Sequence, residues 1–284
     1  MGELRTASVR IGKARFTISS DDRYLKQFRP GARHRIANAI RRVAGTDAFE
    51  PRMAQLFARL IRPDDICLDV GANIGCTAIL FAQLCRKVVA FEPTPKTFAL
   101  WRRNVDQSGL SNIDGHNCAL GDVDQRASIF YSDENRSGAF VGDVVDAEGE
   151  SAAIEVRRLD SVFPTLGIDK IDFMKIDVEG YEGKVIEGGW DSIAKCKPVI
   201  QLELNSWCLN AQQRVALPDF LDFLCDRFPI VYGIQRMDYA DIRSQSGRWL
   251  VMRKNILEQR FKEVVVAFDA SRLDAFRASY QQIA

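Results

Sequence analysis

Residues 67–92 read CLDVGANIGCTAILFAQLCRKVVAFE and contain, in order, an apolar strand, a glycine turn, an amphipathic helix, a second apolar strand and a terminal acid. Ile66–Val70 is short and apolar, as expected of a strand buried on both faces of a parallel sheet. Gly71 and Gly75 permit a sharp turn that a ligand can approach closely, because glycine has no Cβ. The unpaired N–H groups of the following helix would point at that ligand. The stretch therefore predicts a cradle for an adenosine-containing cofactor.

The spacing of the glycines indicates which cofactor is bound. A dinucleotide fold uses G-x-G-x-x-G, whose second glycine admits a pyrophosphate, but this chain has Asp69-x-Gly71-x-x-x-Gly75. An acid directly before the turn would repel a pyrophosphate and suits a cationic ligand that carries an amino group. Glu92 ends the second strand, where doubly wound folds place an acid on ribose hydroxyls. The pattern favours S-adenosylmethionine over a nicotinamide cofactor.

A second buried-strand pattern, residues 171–180, ends in two carboxylates and a glycine. Four motifs together resemble the FkbM family of S-adenosylmethionine-dependent O-methyltransferases, and the likeness covers about residues 50–205. The most specific of them is KIDVEG. The motifs are DVGANIG at 69–75, AFEPTP at 90–95, ALGD at 119–122 and KIDVEGYE at 175–182.

The resemblance implies roles for six residues. Four would line the methionine half of the cofactor, one would bind the ribose and one the adenine amino group. In that order they are Asp69, Gly71, Asn73 and Gly75, then Glu92, then Asp122. Gly183 departs from the family pattern by placing glycine in a helix start, at a cost of about 1 kcal/mol to the helix.

The expected fold class is α/β: a class I methyltransferase (Rossmann-like), doubly wound, mostly parallel seven-stranded sheet with one antiparallel strand. A hairpin is expected within Val9 to Ser19, and a helix from Pro51 to Leu60 leads into the first strand. Thr94 and Pro95 would begin the helix after Glu92. Later strands are expected near residues 113–120, 170–177, 198–204, 228–234 and 249–253.

The candidate catalytic residues are the acids that follow the fourth and fifth strands, because ligands of open α/β sheets gather at the carboxyl ends of strands. Methyl transfer needs a nucleophile held in line with the departing sulfur, and an alcohol nucleophile benefits from a base. Asp177 or Glu203 would accept the hydroxyl proton or orient a sugar. Glu179 is a third candidate, or alternatively caps the helix that begins near Tyr181.

The same region offers a metal-dependent alternative. Asp177, Glu203 and Asn205 supply oxygen ligands of the kind that Mg²⁺ prefers, and a metal would polarise neighbouring hydroxyls. The working expectation is nevertheless a site without metal. The chain has only His34 and His116, neither near another candidate ligand, which argues against a histidine-based zinc site or a Ser-His-Asp triad.

Composition agrees with a cytoplasmic enzyme. The 284 residues have a net charge of +1, and no stretch approaches a membrane span or a signal segment. Seven cysteines without CxxC spacing are interpreted as reduced thiols. Residues 132–150, polar and without a clear period, form either a substrate lid or a long hairpin loop.

The amino-terminal segment differs from the rest in charge. Residues 1–46 hold eleven Lys or Arg against three Asp or Glu, and they are expected to form an appendage, hairpin plus amphipathic helix, to a methyltransferase domain at 47–284. Ile36, Ile40 and Val43 share one face of that helix. A basic amphipathic helix suits peripheral contact at the inner face of the membrane, although a solvated face is the plainer interpretation.

The function expected from the resemblance is O-methylation of a sugar hydroxyl in a glycolipid, polysaccharide or natural product. The alternatives are an RNA ribose 2'-O-methyltransferase and a noncatalytic module that binds the cofactor. Nucleic acid is a poor fit because residues 47–284 are net acidic, against the basic footprint of nucleic-acid binders. The oligomeric state is left open.

Overall fold

The computed structural model describes residues 4–20, 49–132, 135–141 and 150–284. The strands, in chain order, are β1 Arg5–Ile11, β2 Ala14–Ser20, β3 Ile66–Val70, β4 Lys87–Phe91, β5 Ile113–His116, β6 Ala119–Leu120, β7 Gln125–Ser132, β8 Asn135–Val141, β9 Glu150–Arg157, β10 Phe173–Ile176, β11 Val199–Glu203, β12 Ile230–Gln235, β13 Asp238–Asp241, β14 Glu263–Ala267 and β15 Gln281–Gln282.

The α-helices of the described residues are α1 Pro51–Leu60, α2 Cys76–Ala82, α3 Pro95–Ser108, α4 Leu159–Val162, α5 Glu182–Gly188, α6 Trp190–Cys196, α7 Ser206–Gln213, α8 Leu217–Arg227, α9 Gln245–Glu258 and α10 Asp274–Arg277. None of these helices is both long and apolar enough to cross a bilayer.

The main sheet has nine strands in the order β15-β13-β12-β14-β11-β10-β3-β4-β5. The five strands from β11 to β5 are parallel, and β14 pairs antiparallel with both β11 and β12. Strands β12 to β5 are thus the expected seven-stranded sheet with one antiparallel strand. Two further strands, β13 and β15, extend it beyond β12. The α/β class I methyltransferase fold is confirmed.

Apolar residues cover both faces of the sheet, as a doubly wound fold requires. On β3, Cys67 belongs to one core cluster and Leu68 to the other. The first cluster also takes in the hairpin β1–β2, as predicted for Val9 to Ser19, through buried residues such as Val9 and Ile18. The hairpin is further tied to α3 by Asn104, whose side chain accepts from Ser19 N at 2.7 Å. The boundary at residue 46 stays a prediction, and the amphipathic helix lies outside the described residues.

One strand prediction was wrong, and a second was correct only for its first half. Residues 249–253 lie inside α9, and the strand is Glu263–Ala267 instead. A short apolar run does not distinguish a strand from a helix, and Ser244 Oγ caps this helix by accepting from Gly247 N at 2.9 Å. Residues 113–120 are split, because β5 pairs with β4 whereas β6 pairs with β9.

A smaller sheet, in the order β6-β9-β7-β8, stands beside the carboxyl end of the main sheet. Strand β8 falls within the segment 132–150, so this segment contributes a hairpin strand. Residues 142–149 lie outside the described residues, and the lid interpretation stays a prediction.

Candidate functional site

The glycine turn after β3 is held against two neighbouring strands. Gly71 N and Ala72 N both donate to Phe91 O at 3.0 Å, which joins the turn to the end of β4. Gly71 has φ +80°, and a Cβ there would lie 1.9 Å from the Asp177 carbonyl oxygen. A side chain at this position would therefore strike the backbone at the end of β10. The close approach of the two strand ends explains why the sequence has glycine here.

Glu92 closes the other side of the turn. Its carboxylate accepts from Asn73 N at 3.0 Å and from Thr94 N at 2.9 Å. Burial raises the pKa of Glu92 to about 7, although the hydrogen bond from Thr94 acts in the opposite direction. A carboxylate has about four acceptor positions, so Glu92 retains capacity for ligand hydroxyls while it fixes the turn.

A cavity opens above this turn, between the carboxyl ends of β3, β4, β10 and β11 and the smaller sheet. Of the six predicted cofactor residues, Gly71, Asn73 and Glu92 line the cavity. Its wall also includes Phe49, Glu50, Ile129, Val141, Lys175, Asp177, Val178, Glu179, Tyr181 and Glu203.

The other three predicted cofactor residues are not part of the cavity wall. Asp69 is fully buried beneath the turn, and burial raises its pKa to about 6. Gly75 lies at the start of α2, where a Cβ would approach Trp101 Cδ1 at 3.1 Å. Asp122 follows the cavity residue Leu120, and its Oδ2 is 3.9 Å from Lys184 Nζ. The roles of these three residues stay predictions.

Three carboxylates meet at the opposite side of the cavity. Asp177, Glu179 and Glu203 each bring an oxygen within 4.8 Å of the others. Asp177 and Glu203 extend the same face of the sheet from adjacent parallel strands, as expected from their positions after β10 and β11. The structure thus brings together all three predicted catalytic residues.

Lys175, which the sequence analysis did not single out, organises this group. Its Nζ lies 2.9 Å from Asp177 Oδ2 and 3.9 Å from Asp69 Oδ1. Burial disfavours the charged amine, but the two carboxylates outweigh it and hold the pKa of Lys175 above its ordinary value. The ammonium therefore forms an ion pair with Asp177 at the cavity wall. A lysine two residues before the acid in a buried strand was the available signal, because such residues share one face.

Glu179 does not cap the helix near Tyr181, so that alternative was wrong. Its Oε2 instead accepts from Asn205 Nδ2 at 3.2 Å and from Cys208 Sγ at 3.1 Å. The amides of Val178 and Gly180 donate to Glu182 Oε1, which occupies the position expected for Glu179.

Asn205 also forms a hydrogen bond with the backbone. Its side-chain oxygen accepts from Cys208 N at 3.2 Å and caps α7. The acidic group that the structure offers to a metal is therefore Asp177, Glu179 and Glu203, with Glu179 in the place predicted for Asn205.

Glu203 lies among other acidic groups. Burial raises its pKa well above the ordinary value, and the neighbouring charges of Asp177 and Glu179 raise it further. Glu263 lies opposite Glu203 on β14, and burial raises its pKa to about 8. The raised pKa favours the protonated form of Glu203, which can donate a hydrogen bond into the cavity.

Glu50 is a second cavity residue that no motif revealed. It precedes α1 with φ +34°, and its carboxyl group lies within the influence of Lys175 and Asp177. Burial raises its pKa, which Lys175 opposes. Glu50 lies well before the first motif in the sequence, so only the fold brings it to the cavity.

Several curated proteins are similar to this chain. The 31-O-demethyl-FK506 methyltransferase FkbM of Streptomyces tacrolimicus is 32% identical over 46% of this chain and 62% of its own length. The 2-O-methyltransferase NoeI of Sinorhizobium fredii is 28% identical over 50% and 65%, respectively. The hexuronic acid methyltransferase AglP of Haloferax volcanii is 28% identical over 53% and 61%. Each match spans less than two thirds of the relative.

Solved structures with a similar arrangement include two methyltransferases. A methyltransferase FkbM from Methylobacillus flagellatus is 19% identical, with a TM-score of 0.40 over 62% of this chain and 44% of that one. The O-methyltransferase TomG from Streptomyces achromogenes, solved with SAM, is 13% identical, with a TM-score of 0.43 over 76% and 78%.

The family assignment rests on a family model that covers more than half of the chain. The model described as the methyltransferase FkbM domain matches residues 69–239, from the acid before the glycine turn to β13. This range contains the turn, Glu92 and all three clustered carboxylates. The chain belongs to the FkbM methyltransferase family.

Proposed function

We propose that this protein is an S-adenosylmethionine-dependent O-methyltransferase whose acceptor is a sugar hydroxyl of a glycolipid, polysaccharide or natural product. The observation that carries the proposal is the acidic lining of the cavity. Its wall holds five carboxyl groups and a single ammonium: Glu50, Glu92, Asp177, Glu179 and Glu203 against Lys175. This lining suits a ligand that carries an amino group, a positive charge and hydroxyls better than it suits a pyrophosphate.

The described residues fit the cofactor. Gly71 and Asn73 would lie along its methionine part, and Glu92 would accept hydrogen bonds from ribose hydroxyls. Asp69 would act from beneath the turn, Gly75 would shape the turn, and Asp122 would serve the adenine amino group. When bound, S-adenosylmethionine supplies a methyl group activated by its positive sulfur.

The protein's own part in the reaction is positioning and proton transfer. Asp177, which pairs with Lys175 at 2.9 Å, would accept the proton of the acceptor hydroxyl. Glu203, whose raised pKa favours the protonated form, would donate a hydrogen bond to a neighbouring sugar oxygen. Glu179 is fixed by Asn205 and Cys208, and it would hold the acceptor in line with the methyl group.

The acceptor class rests on the similar proteins. One is named for 2-O-methylation, one for a hexuronic acid and one for 31-O-demethyl-FK506. The names that specify an oxygen support an O-methyltransferase, and the hexuronic acid supports a sugar acceptor. A cytoplasmic location and membrane contact through residues 1–46 are further parts of the proposal, and most of that segment lies outside the described residues.

The test is transfer of label from methyl-tritiated S-adenosylmethionine into separated glycan, lipid, RNA and protein fractions of the native cell. We expect label in glycan or glycolipid, and a loss of at least about 100-fold in Asp177→Asn, because general bases contribute about 10²–10⁴. Cofactor affinity, measured by calorimetry, should stay unchanged. Asp169→Asn is the matched control, since Asp169 is highly exposed and precedes β10.

Three outcomes would contradict parts of this proposal. Full turnover of Asp177→Asn would exclude Asp177 as the base. Label in RNA would replace the sugar acceptor by a ribose hydroxyl of RNA. Cofactor binding with no transfer to any fraction would favour a noncatalytic module.

A further inference from the structure

Exposed apolar side chains are concentrated at one edge of the main sheet. Four of the large hydrophobic residues that are exposed in the described ranges lie near the ends of three strands in the sequence. One follows β11, one follows β12 and two precede β14. We call them the apolar rim: Trp207, 65% exposed, Met237, 45%, Ile256, 52%, and Leu257, 73%. Large apolar side chains grouped in this way usually mark an interaction surface, whereas single ones do not.

Hydrogen bonds hold the rim residues at the same edge. Asn255 Nδ2 donates to Leu204 O at 2.9 Å, which ties the end of α9 to the residue after β11. Ile256 and Leu257 directly follow Asn255, and Trp207 is three residues after Leu204. Phe261 N donates to Gln235 Oε1 at 2.7 Å, which brings the β12–β13 turn with Met237 to this edge.

The edge is the one at which the cavity opens. Glu203, a cavity residue, directly precedes Leu204, and Leu204 N donates to Lys262 O at 2.6 Å. A surface that contacted the rim would therefore lie beside the carboxylates that we assign to the acceptor.

Basic residues accompany the apolar rim. Residues 236–238 and 254–262 hold four basic side chains against two acids, and Glu258 pairs with both Lys254 at 2.6 Å and Arg260 at 3.3 Å. Arg236, Arg260 and Lys262 are exposed among the apolar residues. Aromatic and aliphatic side chains beside Lys and Arg are typical of surfaces that rest on anionic lipid headgroups.

We propose that the apolar rim and its three exposed basic residues dock this protein on an anionic bilayer, which would then lie beside the cavity. Charge complementarity favours lipid over a second copy of the chain, since a symmetric contact would set the same basic residues against each other. The docking itself does not depend on methyl transfer. The consequence for the acceptor, a glycan carried on a lipid, rests on the proposed function.

The test is binding of the full chain to sedimented vesicles of phosphatidylcholine alone or mixed with phosphatidylserine. We expect binding to the mixed vesicles that weakens with salt. It should fall about tenfold in Trp207→Ser combined with Leu257→Ser, and by a similar factor in Arg260→Gln combined with Lys262→Gln. Circular dichroism and cofactor affinity would confirm that these variants are folded.

Trp249→Ser is the matched control. Trp249 has the same exposed fraction as Trp207, 65%, but it lies eight residues before Leu257 on α9, about 12 Å along the helix. Its loss should leave vesicle binding unchanged. In a Trp249→Phe variant, Trp207 is the remaining highly exposed indole, and its fluorescence should shift to shorter wavelength on mixed vesicles.

The proposal is overturned if the intact chain does not bind the mixed vesicles, or if the rim variants bind as well as the wild type. Equal loss in Trp249→Ser would also overturn it. If the rim variants instead convert a dimer to a monomer and vesicles are not bound, a second copy covers this face. These readouts need no methyl transfer, so failure of the proposed activity would be seen separately.

Discussion

The two sides of the cavity are built in different ways. On one side, the glycine turn is shaped by hydrogen bonds from backbone amides to residues close in sequence. Gly71 N donates to Phe91 O at the end of β4, and Asn73 N donates to the Glu92 carboxylate. On the other side, the carboxylate group is assembled from separate strands and is controlled by charge: Lys175 pairs with Asp177 at 2.9 Å, and burial and neighbouring acids raise the pKa of Glu203. The first side is sensitive to volume and backbone angle, whereas the second is sensitive to proton and charge balance.

This difference assigns the two sides separate tasks. A rigid turn made of backbone groups suits a ligand that is the same in every turnover. A group of carboxyls beside an ammonium suits proton transfer, because a carboxylate can accept a proton and a protonated carboxyl can donate one. Perturbations of the first side should therefore affect the fold and cofactor binding, and perturbations of the second side should affect pH dependence and turnover.

The largest expected effect is on the glycine turn. Gly71→Ala places a Cβ 1.9 Å from the Asp177 carbonyl oxygen at φ +80°, so the ends of β3 and β10 must separate. We expect a loss of about 3 kcal/mol or more in the free energy of unfolding, with cofactor binding abolished. Urea unfolding and calorimetric titration would measure the two effects.

Gly109→Ala is the control for that prediction. Gly109 has φ +70° but nothing within 4 Å of a Cβ, so it should lose only about 1 kcal/mol, the cost of left-handed backbone for alanine. Equal losses in the free energy of unfolding at the two positions would mean that the left-handed backbone angle, and not the close approach to Asp177, destabilises Gly71→Ala.

A smaller effect, on the pH dependence of the free energy of unfolding, is expected from the buried acid Glu182. Burial raises the pKa of Glu182 to about 7, although the amides of Val178 and Gly180 oppose the shift. The folded protein then binds this proton more strongly than the unfolded chain, so the free energy of unfolding falls as pH rises from about 4.5 to about 7. In Glu182→Gln, the decrease in the free energy of unfolding over this pH range should be smaller than in the wild type, by at most about 3 kcal/mol.

Glu187→Gln serves as the matched control, since Glu187 is exposed on the same helix, α5. Urea unfolding at several pH values compares the slopes. A slope of Glu182→Gln equal to that of the wild type would show that Glu182 is ionised in the folded protein throughout this range.

The same contrast explains what the sequence could predict. Gly71, Asn73 and Glu92 lie in a single strand-turn-helix-strand unit, whose local pattern fixes their relative positions. The grouping of Asp177 with Glu203 followed from the rule for strand ends. Lys175 and Glu50 were missed because their contacts depend on side-chain burial and on a segment that precedes the motifs. Residues 249–253 were assigned to a strand because four apolar residues in a row do not show their period.

The smallest expected effect concerns a metal. Asp177 is already paired with Lys175, and Glu179 accepts hydrogen bonds from Asn205 and Cys208. Glu203 relieves its repulsion by binding a proton. A divalent cation would have to displace these partners, so we expect turnover to be unchanged after exhaustive chelation and calorimetry to detect no Mg²⁺ binding at neutral pH. Loss of turnover that Mg²⁺ restores would show instead that Asp177, Glu179 and Glu203 act as ligands, and that charge on this side of the cavity is balanced by a cation.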